Sequence, residues 1–154
     1  MGEETLIPRV LAAEPSAKVR DDAGGPSVEV APDRLFGLMQ CLRDRPDLAF
    51  DMLMAHTAVD WLEQGRFELV YILYSTVHGH GLTVCASVPR DKPVAPTLSG
   101  LWPIAHWQER EVFDLMGVLY DGHPDLRRVF LEDDWQGYPL RKDYQDSDML
   151  ELPQ

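Results

Sequence analysis

Two runs of residues constrain this chain most. Residues 67–75 read FELVYILYS, rich in aromatic and β-branched side chains, and residues 82–88 read LTVCASV, where Leu82, Val84, Ala86 and Val88 alternate with Thr83, Cys85 and Ser87. Successive side chains of an extended chain point to opposite faces, so this period-two pattern predicts two strands with one apolar face. The VHGHG between them predicts a hairpin, with Gly79 and Gly81 supplying the positive φ that a tight reversal needs. Residues 50–60 (FDMLMAHTAVD) read as a preceding strand, and 28–30 as a short one. His78 and His80 sit in the Gly-rich tip without carboxylate or Cys partners, and read as exposed turn residues rather than metal ligands.

The rest of the pattern is helical. Leu6, Val10 and Leu11 predict a short helix over 3–13, stopped at Glu14-Pro15, and DDAGGP at 21–26 punctuates a turn. After Pro32 and Asp33, Leu35, Leu38, Met39 and Leu42 recur at i, i+3, i+4 and i+7, predicting a helix that ends before Pro46. Pro89, Pro93 and Pro96 predict a loop, and residues 105–119 a helix with Val112, Leu115, Met116 and Leu119 on one side and Arg110, Glu111 and Asp114 on the other, Gly117 and Gly122 marking where it frays or ends. Beyond Asp121 the sequence loses periodicity but stays dense in Gly, Pro, Trp and charge, the composition of an ordered arm that must lie on a surface. Residues 1–120 therefore read as a domain and 121–154 as an extended C-terminal arm.

Charge narrows the function classes. The 154 residues carry 14 Lys and Arg against 26 Asp and Glu, a formal net charge of −12. Nucleic-acid binding draws its affinity from basic residues neutralising phosphates, so that class is disfavoured, as is adsorption to anionic lipid. No apolar stretch approaches the roughly 18 residues of a membrane-spanning helix, and MGEETLIPRV lacks the pattern of a secretory signal. Cys41 and Cys85 belong to no CxxC, which predicts two buried thiols and no disulfide, zinc or iron–sulfur cradle.

Chemistry-bearing side chains crowd into the last third. Glu109, on the apolar side between Phe113 and Met116, must find a partner, because an unpaired buried carboxylate costs several kcal/mol or takes up a proton. Arg127 and Arg128 are the nearest arginines in sequence, so an ion pair with one of them is expected. Glu109, Glu111, Asp114, His123 and Asp125 could in principle furnish acid–base pairs. Interleaved with Arg110, Arg127 and Arg128, they point instead to mutual neutralisation, and no phosphate loop, serine nucleophile elbow or HExxH occurs.

The stretch from Trp107 to Tyr144 resembles the signature of the thirty-kilodalton subunit of proton-pumping NADH:quinone oxidoreductase (respiratory complex I). The resemblance rests on Glu109-Arg110-Glu111, Phe113-Asp114, Gly117, Gly122-His123-Pro124-Asp125, Leu126-Arg127-Arg128 and Pro139-Leu140-Arg141-Lys142-Asp143, in the family's order and spacing. Tyr138 departs from the His of many members. The resemblance is strong over the final third and reaches the β-rich middle; residues 1 to about 45 match only by overall pattern. It implies an α+β fold, a small mixed sheet with helices on one layer, followed by the arm. It further implies a structural and assembly role in the peripheral arm, with no active site in this chain. FMN, iron–sulfur clusters and quinone would belong to partner subunits, and this chain would bind no cofactor. The implied partners are the large quinone-site subunit and the cluster-bearing subunits, on the cytoplasmic side of a bacterial inner membrane. The equivalent scaffold of a membrane-bound NiFe hydrogenase, or of a ferredoxin-dependent relative, is the alternative. Phe130, Trp135, Tyr138 and Leu140 are the expected anchors of the arm on its partner, with Arg127, Arg128, Arg141 and Lys142 supplying charge-assisted bonds.

Overall fold

The computed structural model describes residues 5–21 and 24–146. The chain runs α1 (Leu6–Ala13), β1 (Lys18–Val19), β2 (Ser27–Glu29), α2 (Pro32–Asp44), β3 (Met52–Trp61), β4 (Arg66–Ser75), β5 (His80–Pro89), β6 (Val94–Pro96), α3 (Ala105–Met116) and β7 (Leu119–Asp121). Glu3 and Glu4 of the expected first helix, Asp22 and Ala23 of the expected turn, and residues 147–154 of the arm lie outside the described residues.

The predicted hairpin forms the centre of a five-stranded sheet ordered β1-β2-β5-β4-β3. β4 and β5 pair antiparallel from Arg66↔Pro89 to Ser75↔His80, which sets Leu69 opposite Ala86, Tyr71 opposite Val84 and Leu73 opposite Leu82. β3 adds antiparallel on one side, with an irregularity between Leu53 and Ala55, and β2 adds parallel on the other through Val28↔Val84, so the sheet is mixed. The aligned apolar residues join Leu6 and Val10 of α1, Leu35, Leu38, Met39 and Leu42 of α2, and Val112 and Met116 of α3 in one buried core. Each fully buried Leu or Phe there contributes about 1.5–3 kcal/mol of transfer free energy. The opposite face leaves Met52, Met54, Ile72 and Tyr74 exposed.

The sequence expectations need correction at five points. Gly79 takes φ 66° at the hairpin turn, whereas Gly81 does not adopt a positive φ. His78 and His80 are not free turn residues: their Nε2 atoms lie 2.8 Å from the Pro46 carbonyl and 3.0 Å from that of Leu48, tying the turn after α2 to the hairpin tip. The expected 89–96 loop contains β6, which pairs parallel with β7 through Ala95↔Tyr120, and α3 stops at Met116 instead of running to 119. Gly117 ends it, with φ 78° and its N–H donating to the Phe113 carbonyl, a left-handed cap that releases the chain into β7. Finally, neither cysteine is in a disulfide, but only Cys85 is buried; Cys41 is half-buried on α2.

Candidate functional site

α3 buries more than one side, and the residues of the expected site divide according to what covers each. Glu109, Arg110 and Asp114 are all buried, although only Glu109 was expected on the apolar side, while Glu111 is exposed. The extra coverage comes from the arm, which folds back over the helix.

Asp114 organises that return. Its Oδ2 accepts the backbone N–H groups of Val129, Phe130 and Leu131 at 3.0, 2.7 and 3.1 Å, and its Oδ1 accepts Arg128 Nη1 at 2.9 Å. Desolvation pushes this carboxyl upward, but the three amides and the guanidinium outweigh it and hold Asp114 below the usual carboxylate range. Arg128 also donates to the carbonyls of Asp114, Trp135 and Gly137, so one side chain ties three stretches of backbone. Arg110 donates to the carbonyls of Arg127 and Arg128 at 3.1 and 3.3 Å, and its guanidinium stacks over Trp107.

Farther along, Arg141 Nε donates to the Met116 carbonyl at 2.7 Å and the Leu140 N–H to that of Leu115 at 3.0 Å. The Tyr138 ring lies between two guanidiniums, Arg128 at 5.1 Å and Arg141 at 4.8 Å. It packs so closely on α3 that a Cβ added to Gly117 would stand 2.7 Å from the Tyr138 ring and 2.6 Å from Arg141. A second clamp joins the arm to the sheet: Arg90 holds Asp60 at 2.7 and 2.9 Å and Asp143 at 2.7 Å, and the Lys142 N–H donates to Asp60 at 2.9 Å. Sequence reasoning missed Asp60 and Arg90, because they lie 53 or more residues from the Asp143 they serve or share it with, and carry no pattern of their own.

The expected ion pair between Glu109 and an arginine does not form. Arg128 is committed to Asp114, and Arg127 forms an exposed pair with Asp125 at 3.0 Å. Glu109 accepts the Leu98 N–H at 2.6 Å and lies 2.5 Å from Thr97 Oγ1, both in the loop that follows β6. Desolvation pushes its pKa up to about 7, against the opposing pull of Leu98 and Thr97. His123 Nε2 stands 3.8 Å from Glu109 and donates to the His106 carbonyl at 3.0 Å, while its Nδ1 accepts the Asp125 N–H at 3.0 Å. The expected mutual neutralisation therefore holds for Asp114 and Asp125 and fails for Glu109.

Among the described residues, four large apolar side chains of the arm are exposed: Phe130 (65%) and Leu140 (59%) largely so, Val129 (37%) and Trp135 (36%) in part. Tyr138, expected as an anchor for a partner, is instead half-buried on its own domain. Among the described residues, no three His, Cys, Asp or Glu side chains gather as metal ligands, and no helix is long and apolar enough to cross a membrane.

An aromatic arm is thus strapped back onto an α+β domain through residues of the Glu109–Asp143 signature. The family model of the respiratory-chain NADH dehydrogenase, 30 Kd subunit, matches residues 28–149. This chain belongs to that family. The NADH-quinone oxidoreductase C subunit of Moorella thermoacetica is 43% identical over 141 residues, covering 92% of this chain and 94% of its own length. That of Roseiflexus sp. (strain RS-1) is 41% identical over 145 residues, covering 90% and 82%. Among solved structures, a chain of the membrane-bound sulfane sulfur reductase (MBS), an archaeal respiratory membrane complex, superposes with TM-score 0.78 at 28% identity, covering 92% of this chain and 85% of its own. A trypsin-resistant fragment (1–134) of Nqo5 does so with TM-score 0.67 at 28% identity, covering 80% and 98%. This 30 Kd subunit thus has the expected α+β fold, is a structural subunit of a complex I-type oxidoreductase, and has the other subunits of that complex as its partners.

Proposed function

We propose that this 30 Kd subunit has no active site or cofactor of its own and works by presenting its arm to the large quinone-site subunit and the cluster-bearing subunits of the peripheral arm, on the cytoplasmic side of a bacterial inner membrane. The observation that carries this reading is the division of labour within the arm. Asp114, Arg128, Arg141 and Arg90 fix its backbone to the domain, which leaves Phe130 and Leu140 largely exposed, and Val129 and Trp135 partly so, on an already ordered segment. Holding apolar anchors rigid before association lowers the entropic cost of docking. Arg127, at the outer edge, and Lys142, beside Trp61, are the basic side chains left to meet a partner.

The test is co-purification from cells carrying the whole complex. Phe130→Ala with Leu140→Ala is expected to leave the circular dichroism of the isolated chain unchanged and to reduce recovery of the large subunit at least tenfold. Unchanged recovery overturns the reading. The second reading is a host other than a quinone reductase, of the ferredoxin-dependent or hydrogenase type; what supports such a host is the 0.78 superposition on a chain of a different respiratory membrane complex, the sulfane sulfur reductase. The 41–43% identities to quinone-reductase subunits favour the first. Cys pairs of the NiFe-binding type in the co-purifying large subunit would decide for hydrogenase.

A further inference from the structure

One buried group is explained neither by the arm nor by the docking of a partner. Glu109 is fully enclosed, and among the described residues no arginine or lysine bonds to it. Enclosure without a counter-charge favours its protonated form, and the hydroxyls beside it can carry that proton. Thr97 has a single hydroxyl proton, and its Oγ1 lies 2.9 Å from Ser99 Oγ as well as 2.5 Å from Glu109 Oε2. If that proton goes to Ser99, the short contact to Glu109 needs a proton on the carboxyl, giving an unbroken chain Glu109 Oε2–H → Thr97 Oγ1–H → Ser99 Oγ. Oε1 remains free to accept the Leu98 N–H. Ser99 is half-buried and lines a surface depression with His106, Trp107 and Pro124, so the outer end of the chain reaches water.

His123 is set for the same state. A carbonyl can only accept, so Nε2 carries the proton toward His106, and Nδ1, accepting the Asp125 N–H, is unprotonated. The ring is therefore neutral, with its N–H turned to the His106 carbonyl while the Glu109 carboxyl waits 3.8 Å away.

We propose that Glu109 is a neutral carboxylic acid that exchanges its proton with water through Thr97 and Ser99, and that its ionisation draws the His123 N–H from the His106 carbonyl to the carboxylate. The step balances as a proton relay: the Glu109 proton passes to Thr97 Oγ1, the Thr97 proton to Ser99 Oγ and the Ser99 proton to water, leaving a carboxylate and both hydroxyls intact. Two tyrosines face Glu109: Tyr71 from β4, whose buried hydroxyl has no hydrogen-bond partner among the described residues, and Tyr120 from β7, bonded to His56 of β3; His106 and Arg110 of α3 and Asp125 of the turn face His123. Neither tyrosine takes charge in the neutral range, because burial, with Glu109 among the lesser causes, raises both well above their usual value. The result is a joint between the 97–99 loop, α3 and the 122–125 turn whose hydrogen bonds depend on one proton.

The experiment follows the Glu109 carboxyl carbon and the His123 ring by NMR in the full chain from pH 4.5 to 8.5, with Glu109→Gln as the control. Glutamine keeps the shape, accepts from Leu98 and donates to Thr97 without a charge. The expected result is a carboxyl midpoint two or more pH units above that of free glutamate, a His123 chemical-shift change with the same midpoint, and loss of that change in E109Q. A Glu109 midpoint below pH 5.5, or a His123 ring that ignores the Glu109 transition, overturns the proposal. The wild-type titration decides the matter even if E109Q folds poorly.

Discussion

Asp114 and Gly117 stand three residues apart at the end of one helix and are indispensable for opposite reasons. Asp114 gathers three amides and a guanidinium in a buried place. Asp114→Asn keeps the shape but offers one acceptor where there were two, and it leaves Arg128 without its counter-charge. Removing one partner of such a buried pair costs about 3 kcal/mol, and urea denaturation is expected to record a loss of that size. Gly117 has no side chain to offer, and that absence is its contribution. Gly117→Ala adds about 1–2 kcal/mol of left-handed backbone strain and also collides with Tyr138 and Arg141. The expected outcome is a destabilised chain whose arm is cut more readily by protease. Undiminished resistance would mean that Tyr138 does not pack there. The sequence marked Asp114 as a polar-face carboxylate and Gly117 as a point where the helix frays or ends; neither spacing nor periodicity says that one is an acceptor for three amides and the other a gap for a ring.

At the scale of elements, the two adjacent arginines separate. Arg127 and Asp125 are exposed, and a surface pair of this kind is worth about 0–1 kcal/mol, whereas Arg128 ties α3 to the 135–137 backbone. Arg127→Ala is expected to leave limited proteolysis of the arm unchanged, and Arg128→Ala to raise the cleavage rate after residue 128 at least tenfold. Equal effects would refute the division. The strands and long helices were legible because each presents a repeating apolar face: the β4/β5 register follows from alternation, and α2 from its i, i+3, i+4, i+7 apolar residues. β6 and β7 were not, because three residues are too few for a period to register, and their pairing joins segments more than twenty residues apart. α3 misled for a related reason. A helix covered on two sides has no single polar face, so Arg110 and Asp114 read as solvent-facing when they are buried.

For the whole molecule, two buried groups with opposite shifts shape the dependence of stability on pH. Glu109 is raised from 4.5 to about 7, so the folded state holds a proton that the unfolded state releases, and its stabilisation falls as pH rises from about 4.5 to about 7. His56 is lowered from 6.5 to about 4, chiefly by desolvation against the Val70 hydrogen bond, so its contribution is complete above 6.5 and is lost as pH falls toward 4. His123, also lowered, acts in the same direction as His56. Between pH 4.5 and 6.5 the carboxyl and the histidines oppose one another, and the thermal midpoint is expected to vary little. In Glu109→Gln the histidines act alone, so stability should rise across that window by about 3 kcal/mol. A wild-type curve as steep as that of the variant would show that Glu109 is not protonated there. Below pH 4, protonation of Asp60 and Asp114, both held low in the folded state, adds an acid-side loss as the arm's clamps release.

The sequence by itself determined the α+β class, the central hairpin, the helix beneath it, the acidic balance and, through the ordered run from Glu109 to Asp143, the family. Those properties are local or repeat along the chain, so a linear reading reaches them. Only the tertiary structure decided which acid meets which base. Arg128 goes to Asp114 and not to Glu109, Arg90 reaches across to Asp60 and Asp143, and Glu109 is left to a threonine, a backbone amide and a nearby histidine. The physical reason is that a buried charge is satisfied by whatever donor the fold brings within hydrogen-bonding reach, and sequence distance carries no information about that once the chain has turned back on itself. The arm illustrates both halves: its composition announced that it needs a surface, and the fold supplied that surface from its own domain through Asp114, Arg128 and Arg141.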